Sequence, residues 1–282
     1  MALAALSGDE QLVIFVQLCN VLDPGVAVAF GSASSELWTL TQAPRQQLQA
    51  DHKAAAALGR KAGKRSCKAL REAKKVECSW KGLSSDDLAL LGTLGSVLPA
   101  LEELRLFGST AGLDGVPRLA EKLGAGALPA VTRLYLNTTH VGEAGASALA
   151  AALGRGAMPR LKRLDLSYAA IGDAGLAALA PALRRLPALE TLDLGRNLFG
   201  DDGLATLVAP APTGVLTKLR VLNLCYTQVL DAGCVALTSA LDSGALPALD
   251  HLILDGIPAS DAAKVAVGEA LLTKSMAAAA LS

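Results

Sequence analysis

Residues able to do chemistry are sparse in this 282-residue chain, and their spacing suits contact rather than catalysis. The histidines, His52, His140 and His251, lie far apart and follow no HxxxH spacing, so no metal centre is expected. No GxxxxGKS/T or GxGxxG run offers a phosphate cradle, and no cofactor is expected. The 5 cysteines, at 19, 67, 78, 225 and 234, are odd in number and form no CxxC, which predicts reduced thiols rather than a disulfide framework. What is concentrated is contact chemistry. Only 3% of residues are aromatic, yet Trp80, Phe107, Tyr135, Tyr168 and Tyr226 recur in phase with one short apolar pattern. Rigid, partly polar rings of this kind anchor protein interfaces. Beside them in the same pattern stand Arg105, Arg133, Arg163 and Arg196, then Asp165, Asp193, Asn223 and His251, positive toward the early copies.

The pattern that must position them is a ladder of six near-copies. LPALEELRL (98–106), LPAVTRLYL (128–136), MPRLKRLDL (158–166), LPALETLDL (186–194), LTKLRVLNL (216–224) and LPALDHLIL (246–254) start 30, 30, 28, 30 and 30 residues apart. A fixed period of this length means one supersecondary unit stacked many times. Within each copy, alternation such as Leu164-Asp165-Leu166 predicts a short strand with leucines on one side and the listed polar and aromatic residues on the other. In most copies a carboxylate follows the turn (Glu143, Asp173, Asp201, Asp231, Asp261), where a helix start favours it. Leu176, Leu179 and Leu183 then recur at helical spacing. Stepping back 28 residues from Leu104 and Leu106 reaches Val76 and Cys78, a weaker seventh copy, with Ser84 and Asp87 placed to cap the next helix.

These motifs resemble ribonuclease-inhibitor-like leucine-rich repeats over about residues 74–272. The resemblance implies an α/β solenoid, a horseshoe with a parallel sheet on its concave face and helices outside, binding a protein ligand on that face. The position three past the last leucine, usually Asn or Cys in that family, here holds Ser109, Thr139, Ala169, Asn197, Thr227 and Ile257, so no asparagine ladder is expected. With few cysteines, ribonuclease inhibition itself is not expected. Ran-type GTPase-activating proteins carry similar repeats, and Arg196 is the residue that would serve such an activity. An enzyme is not the expectation.

The first 40 residues, Leu6-Ser7-Gly8-Asp9-Glu10, then Leu12, Ile14-Phe15, Leu18, Leu22-Asp23-Pro24 and Leu37-Trp38, resemble an F-box. That resemblance implies a ubiquitin-ligase adaptor contact through Leu12, Phe15, Leu18, Leu22 and Pro24, with the repeats holding a substrate. The same apolar residues would equally build a small all-helical cap, leaving a repeat scaffold with no ligase role. The expected organisation is a helical module at 1–45, a basic helical linker at 46–73 and the repeats at 74–282. Residues 45–81 hold 11 Lys and Arg against Asp51, Glu72 and Glu77, a local +8 in a chain of zero formal net charge. No aromatic interleaves its basic centre at residues 60–75, so a solvated helix face is expected rather than a nucleic-acid site. No apolar run reaches membrane-spanning length, and MALAALSGDE lacks a positive start, so a cytoplasmic or nuclear location is expected.

Overall fold

The computed structural model describes residues 6–109, 111–209 and 216–280. They form two compact units, one running to Ala73 and including Val97–Ala100, the other holding 74–96 and 101–282.

The first unit is helical: α1 (Gly8–Leu18), α2 (Gly25–Gly31), α3 (Ser35–Leu40), α4 (Gln42–Lys61) and α5 (Cys67–Arg71). Ser7 and Glu10 begin α1 as a reciprocal cap, the Ser7 N–H donating to Glu10 Oε2 (2.8 Å) and the Glu10 N–H to Ser7 Oγ (3.3 Å). Those bonds from Ser7 hold the Glu10 carboxyl below the usual carboxylate range. Phe15, Ala27 and Leu48 form the core, with Leu18, Cys19, Val21 and Phe30 packed around it. His52 Nδ1 lies 2.7 Å from the Val21 carbonyl, so this histidine ties α4 to the chain between α1 and α2. The boundary expected at 45/46 is not a structural one. Helix α4 runs through it, and Leu48, Ala55 and Leu58 bury on one helix face, so the expected linker packs as part of the module.

The second unit alternates strand and helix: β1 (Lys75–Glu77), α6 (Ser85–Thr93), β2 (Glu103–Arg105), α7 (Gly115–Lys122), β3 (Arg133–Tyr135), α8 (Gly142–Gly154), β4 (Arg163–Asp165), α9 (Asp173–Leu183), β5 (Thr191–Asp193), α10 (Asp201–Val208), β6 (Val221–Asn223), α11 (Asp231–Asp242), β7 (His251–Ile253) and α12 (Asp261–Ala280). The strands form one parallel sheet in chain order. Their register aligns the leucine of each copy, Val76 with Leu104, Leu134, Leu164, Leu192, Leu222 and Leu252. From Val76 to Leu222 these side chains are buried, each contributing about 1.5–3 kcal/mol. Leu252, on the last strand, is only partly covered.

Two polar columns join the repeats. In the first, the Thr227 hydroxyl donates back to the Leu224 carbonyl (2.8 Å) and Thr139 does the same to Leu136. Asn197 alone bridges copies: its Nδ2 donates to the Leu166 and Leu194 carbonyls (2.8 Å each), and its Oδ1 accepts from the Ala169 and Ile171 N–H groups (3.1 and 3.0 Å). The second is the helix-start carboxylates, which from Glu143 to Asp231 serve the next helix rather than their own. Glu143 Oε1 accepts from Gly172 N–H (2.9 Å); Asp173 Oδ1 accepts from Gly200 and Gly203 N–H (2.9 and 2.7 Å). Asp201 Oδ1 accepts from Leu230 and Gly233 N–H (2.7 and 2.9 Å), and Asp231 from Ser260 N–H and Oγ–H (2.6 and 2.9 Å). Unpaired N–H groups at a helix start are thus satisfied from the preceding copy. Gly203 is required by this contact, since a Cβ there would lie 2.8 Å from Asp173 Oδ1.

Candidate protein-binding face

On the strands, outward-pointing residues form two rows across the sheet. The first holds Lys75, Glu103, Arg133, Arg163, Thr191, Val221 and His251, the second Glu77, Arg105, Tyr135, Asp165, Asp193, Asn223 and Ile253. The early strands are not simply positive. Glu103, nearly buried, is gripped by Arg105, by Arg133 (2.8 Å) and by Lys75 (3.4 Å), and Glu77 pairs with Lys75 (3.2 Å). Burial pushes the Glu103 carboxyl up, but Arg105, Arg133 and Lys75 outweigh it and hold it below the usual carboxylate range. Tyr135 lies between two guanidiniums, 4.8 Å from Arg105 and 5.6 Å from Arg163. Asp165 goes the other way, raised by burial and by neighbouring Asp193 against the hydrogen bonds of Ser167.

Several of these polar residues have a local task. Asp165 Oδ1 accepts from Ser167 N–H (3.1 Å), Asp193 Oδ1 from Gly195 N–H (3.1 Å) and Asn223 Oδ1 from Cys225 N–H (3.0 Å). Each side chain closes the turn that ends its own strand.

Beyond that turn lies the aromatic column. Trp80, Tyr168, Arg196 and Tyr226 sit at φ 57, 54, 57 and 54°, alongside Thr138 at 57° and Gly108 and Gly256 at 66 and 69°. They are not strand residues, as the alternation suggested, but one left-handed residue per copy just past each strand's carboxyl end. Backbone bonds carry the ladder through them: the Tyr168 N–H donates to the Gly195 carbonyl (2.9 Å), Arg196 to Cys225 (2.7 Å) and Tyr226 to Asp255 (2.8 Å). A side chain at such φ costs roughly 1–2 kcal/mol, which glycine avoids. The glycines here have a further use. A Cβ at Gly108 would lie 2.4 Å from the Trp80 ring and one at Gly256 2.4 Å from the Tyr226 ring, so each ring lies flat across the next copy's glycine. Trp80, Tyr168 and Tyr226 remain 71, 60 and 54% exposed. Phe107 meets Trp80 edge to face at 6.3 Å, and the Arg196 guanidinium stands 4.4 Å from the Tyr226 ring.

Two grooves open along this column. One, of about 420 Å³, is lined by Trp80, Gly108, Ser109, Gly112, Thr138, His140 and Tyr168; the next, of about 260 Å³, by His140, Tyr168, Ala170, Arg196 and Leu198. His140, Ala170 and Leu198 were missed by sequence reasoning, because the segments after the strand turn show no periodicity. Their one signal is phase: each lies two residues past a column position. His251, on β7, is exposed and lies on the sheet apart from both grooves.

In the helical module, Phe15 and Leu22 are buried in the core; Leu12, Leu18 and Pro24 are half-buried. Val13 and Val16 carry the exposed apolar surface of α1, at 57 and 59%. Cys19, Cys67, Cys225 and Cys234 carry free thiols. Among the described residues no group of three His, Cys, Asp or Glu side chains could hold a metal ion, and no helix is long and apolar enough to cross a membrane.

A family model described as Leucine Rich repeat matches residues 158–180 and 186–208, the copies containing β4–α9 and β5–α10. These are leucine-rich repeats. The same strand register and helix placement extend them across the sheet. No curated protein sequence matches the chain. The similar solved structures are distant. Actin-Binding Site 2 of leiomodin-1 is 14% identical, with a TM-score of 0.45 over 59% of this chain and 91% of that one. The Caenorhabditis elegans tropomodulin C-terminal domain is 18% identical, TM-score 0.38, over 48 and 78%. The yeast Rad7 and Elc1 complex gives 16% identity, TM-score 0.37, over 83 and 77%.

Proposed function

We propose that this chain is a non-enzymatic protein-binding module of ribonuclease-inhibitor-like leucine-rich repeats, gripping its partner along the turns at the carboxyl ends of the strands and the adjoining sheet face. The observation that carries this reading is the left-handed column: large side chains stand exposed at Trp80, Tyr168, Arg196 and Tyr226, where glycine fits at lower cost. A ring left more than half exposed returns little to folding for that cost, whereas a partner would gain from it. Partners captured from cell extract on the full chain, counted by mass spectrometry, test it. Tyr168→Ala and Tyr226→Ala should each remove the same specific partner, with a loss of about 2 kcal/mol or more in affinity, and Lys122→Ala on α7 should retain it. Loss with Lys122→Ala alone would move the binding surface to the helices.

A second reading makes the helical module an F-box that joins the repeats to a ubiquitin-ligase adaptor. It is favoured by the exposed Val13 and Val16 on a capped helix whose other face is core. Val13→Asp with Val16→Asp should abolish adaptor binding while circular dichroism stays unchanged. A folded wild-type chain that does not bind the adaptor leaves the module as a cap.

A further inference from the structure

The column is interrupted where Gly108 and Thr138 stand, and the gap is the larger groove, walled by Trp80 at one end and Tyr168 at the other. Three strand spacings separate those walls, roughly 14 Å at ~4.8 Å per strand. Ring faces and glycine make the slot mostly apolar, and it is open along its length into the second groove, since His140 and Tyr168 line both. At the far side of that second groove stands Arg196. Lys75, Arg105 and Arg133 on the sheet are matched by Glu77 and Glu103, but among the described residues Arg196 has no carboxylate partner, only the Tyr226 ring.

An apolar slot leading to an exposed, uncompensated guanidinium is complementary to an apolar side chain followed by an acid. The distance fixes their separation. From the middle of the slot to the Arg196 turn is about two and a half strand spacings, roughly 12 Å, which an extended chain at ~3.3 Å per residue covers in three to four residues. Resting on the protein-binding reading above, we propose that these grooves take an extended peptide segment of the partner. It places one bulky apolar side chain between Trp80 and Tyr168 and, three or four residues away, an Asp or Glu against Arg196. Stacked rings beside an arginine also suit single-stranded nucleic acid. Asp165 and Asp193, on the strands that lead into the Tyr168 and Arg196 turns, repel a phosphate backbone and favour the peptide.

The test pans a phage-displayed library of ten-residue peptides against the full chain, then titrates labelled copies of the enriched peptides against variants shown to be folded by circular dichroism. The expected consensus is a Trp, Phe or Leu with an acid three or four positions away. Tyr168→Ala should weaken binding on the order of thirtyfold and Arg196→Glu on the order of tenfold. Replacing the peptide's acid by Lys should restore affinity for Arg196→Glu. Enriched peptides that are lost with Tyr168→Ala but lack an acid, or ignore Arg196→Glu, overturn this proposal and leave the binding face standing. Peptides indifferent to both variants overturn both. The absence of any enriched peptide overturns the extended segment alone, because the extract experiment still tests the face. Labelled oligo-dT that binds and is lost with Tyr168→Ala would replace the peptide with nucleic acid.

Discussion

At Tyr168 the backbone and the side chain make opposite demands, and two substitutions separate them. Tyr168→Ala keeps the left-handed cost and discards the ring, while Tyr168→Gly discards both, so the glycine variant should be more stable than the alanine variant by ~1 kcal/mol in chemical denaturation. The opposite order would mean that the turn is not held left-handed. Two strands' worth of charge gives a second residue-level test. The Asp165 carboxyl is raised above its ordinary 3.8 in the folded chain by burial and by Asp193. The folded state therefore takes up a proton at higher pH than the unfolded state, and the ionised form costs stability at neutral pH. Asp165→Asn should stabilise the chain at pH 7 by a few tenths of a kcal/mol, a small effect because water still reaches the site. The advantage should vanish below the unfolded value. Glu103, held low, has the opposite sign: its contribution is present at neutral pH and lost as pH falls through its folded value. Denaturation curves of Asp165→Asn and Glu103→Gln at pH 7 and in acid should diverge accordingly. The phase of the tyrosines was visible in the sequence, but the handedness of their backbone was not. Residue type signals a left-handed turn only at glycine, and here Gly108 and Gly256 share the column with Trp, Tyr and Arg.

Among the elements, the strands and their register follow directly from the LxL spacing; stepping back one period found β1, and Val76 does pair with Leu104. The carboxylates also start α9 to α12, as their position implied. Their acceptors were not legible, because an acid at a helix start looks like that helix's own cap and the next copy is close only in the folded chain. A double-mutant cycle measures the link. Asp173→Ala should cost about 1–2 kcal/mol by stranding the Gly200 and Gly203 N–H groups. Gly203→Ala, normally favoured inside a helix, should be destabilising because its methyl would meet Asp173 Oδ1. With Asp173→Ala already made, that penalty should shrink. Strict additivity of the two changes would show that Asp173 and Gly203 do not touch.

Over the whole molecule, the repeat class was legible because one unit recurs six times, whereas the 45/46 boundary was not. Helix α4, rich in Gln, Ala and charge, has the composition of a linker, and only the folded chain shows Leu48, Ala55 and Leu58 meeting a core. Phe15→Ala should therefore destabilise the first unit by about 3–5 kcal/mol, seen as an earlier thermal transition of that unit rather than as a specific loss of binding. In the repeats, Leu166→Asp places a carboxylate where the structure is dry and should cost of order 3 kcal/mol or more, while Asp165→Ala should change the melting temperature by only a degree or two. Equal melts would mean the two faces of the sheet are exchanged. The carboxylate column also has a direction. The carboxylate acceptors at the starts of α9 to α12 each belong to the copy before, from Glu143 through Asp231. During synthesis from the N-terminus, α9 to α12 therefore each emerge with their carboxylate acceptor already made. The sheet runs the other way: the Leu136 N–H donates to the Asp165 carbonyl and the Leu166 N–H to the Asp193 carbonyl, so each strand's ladder is completed only when the next strand has been made.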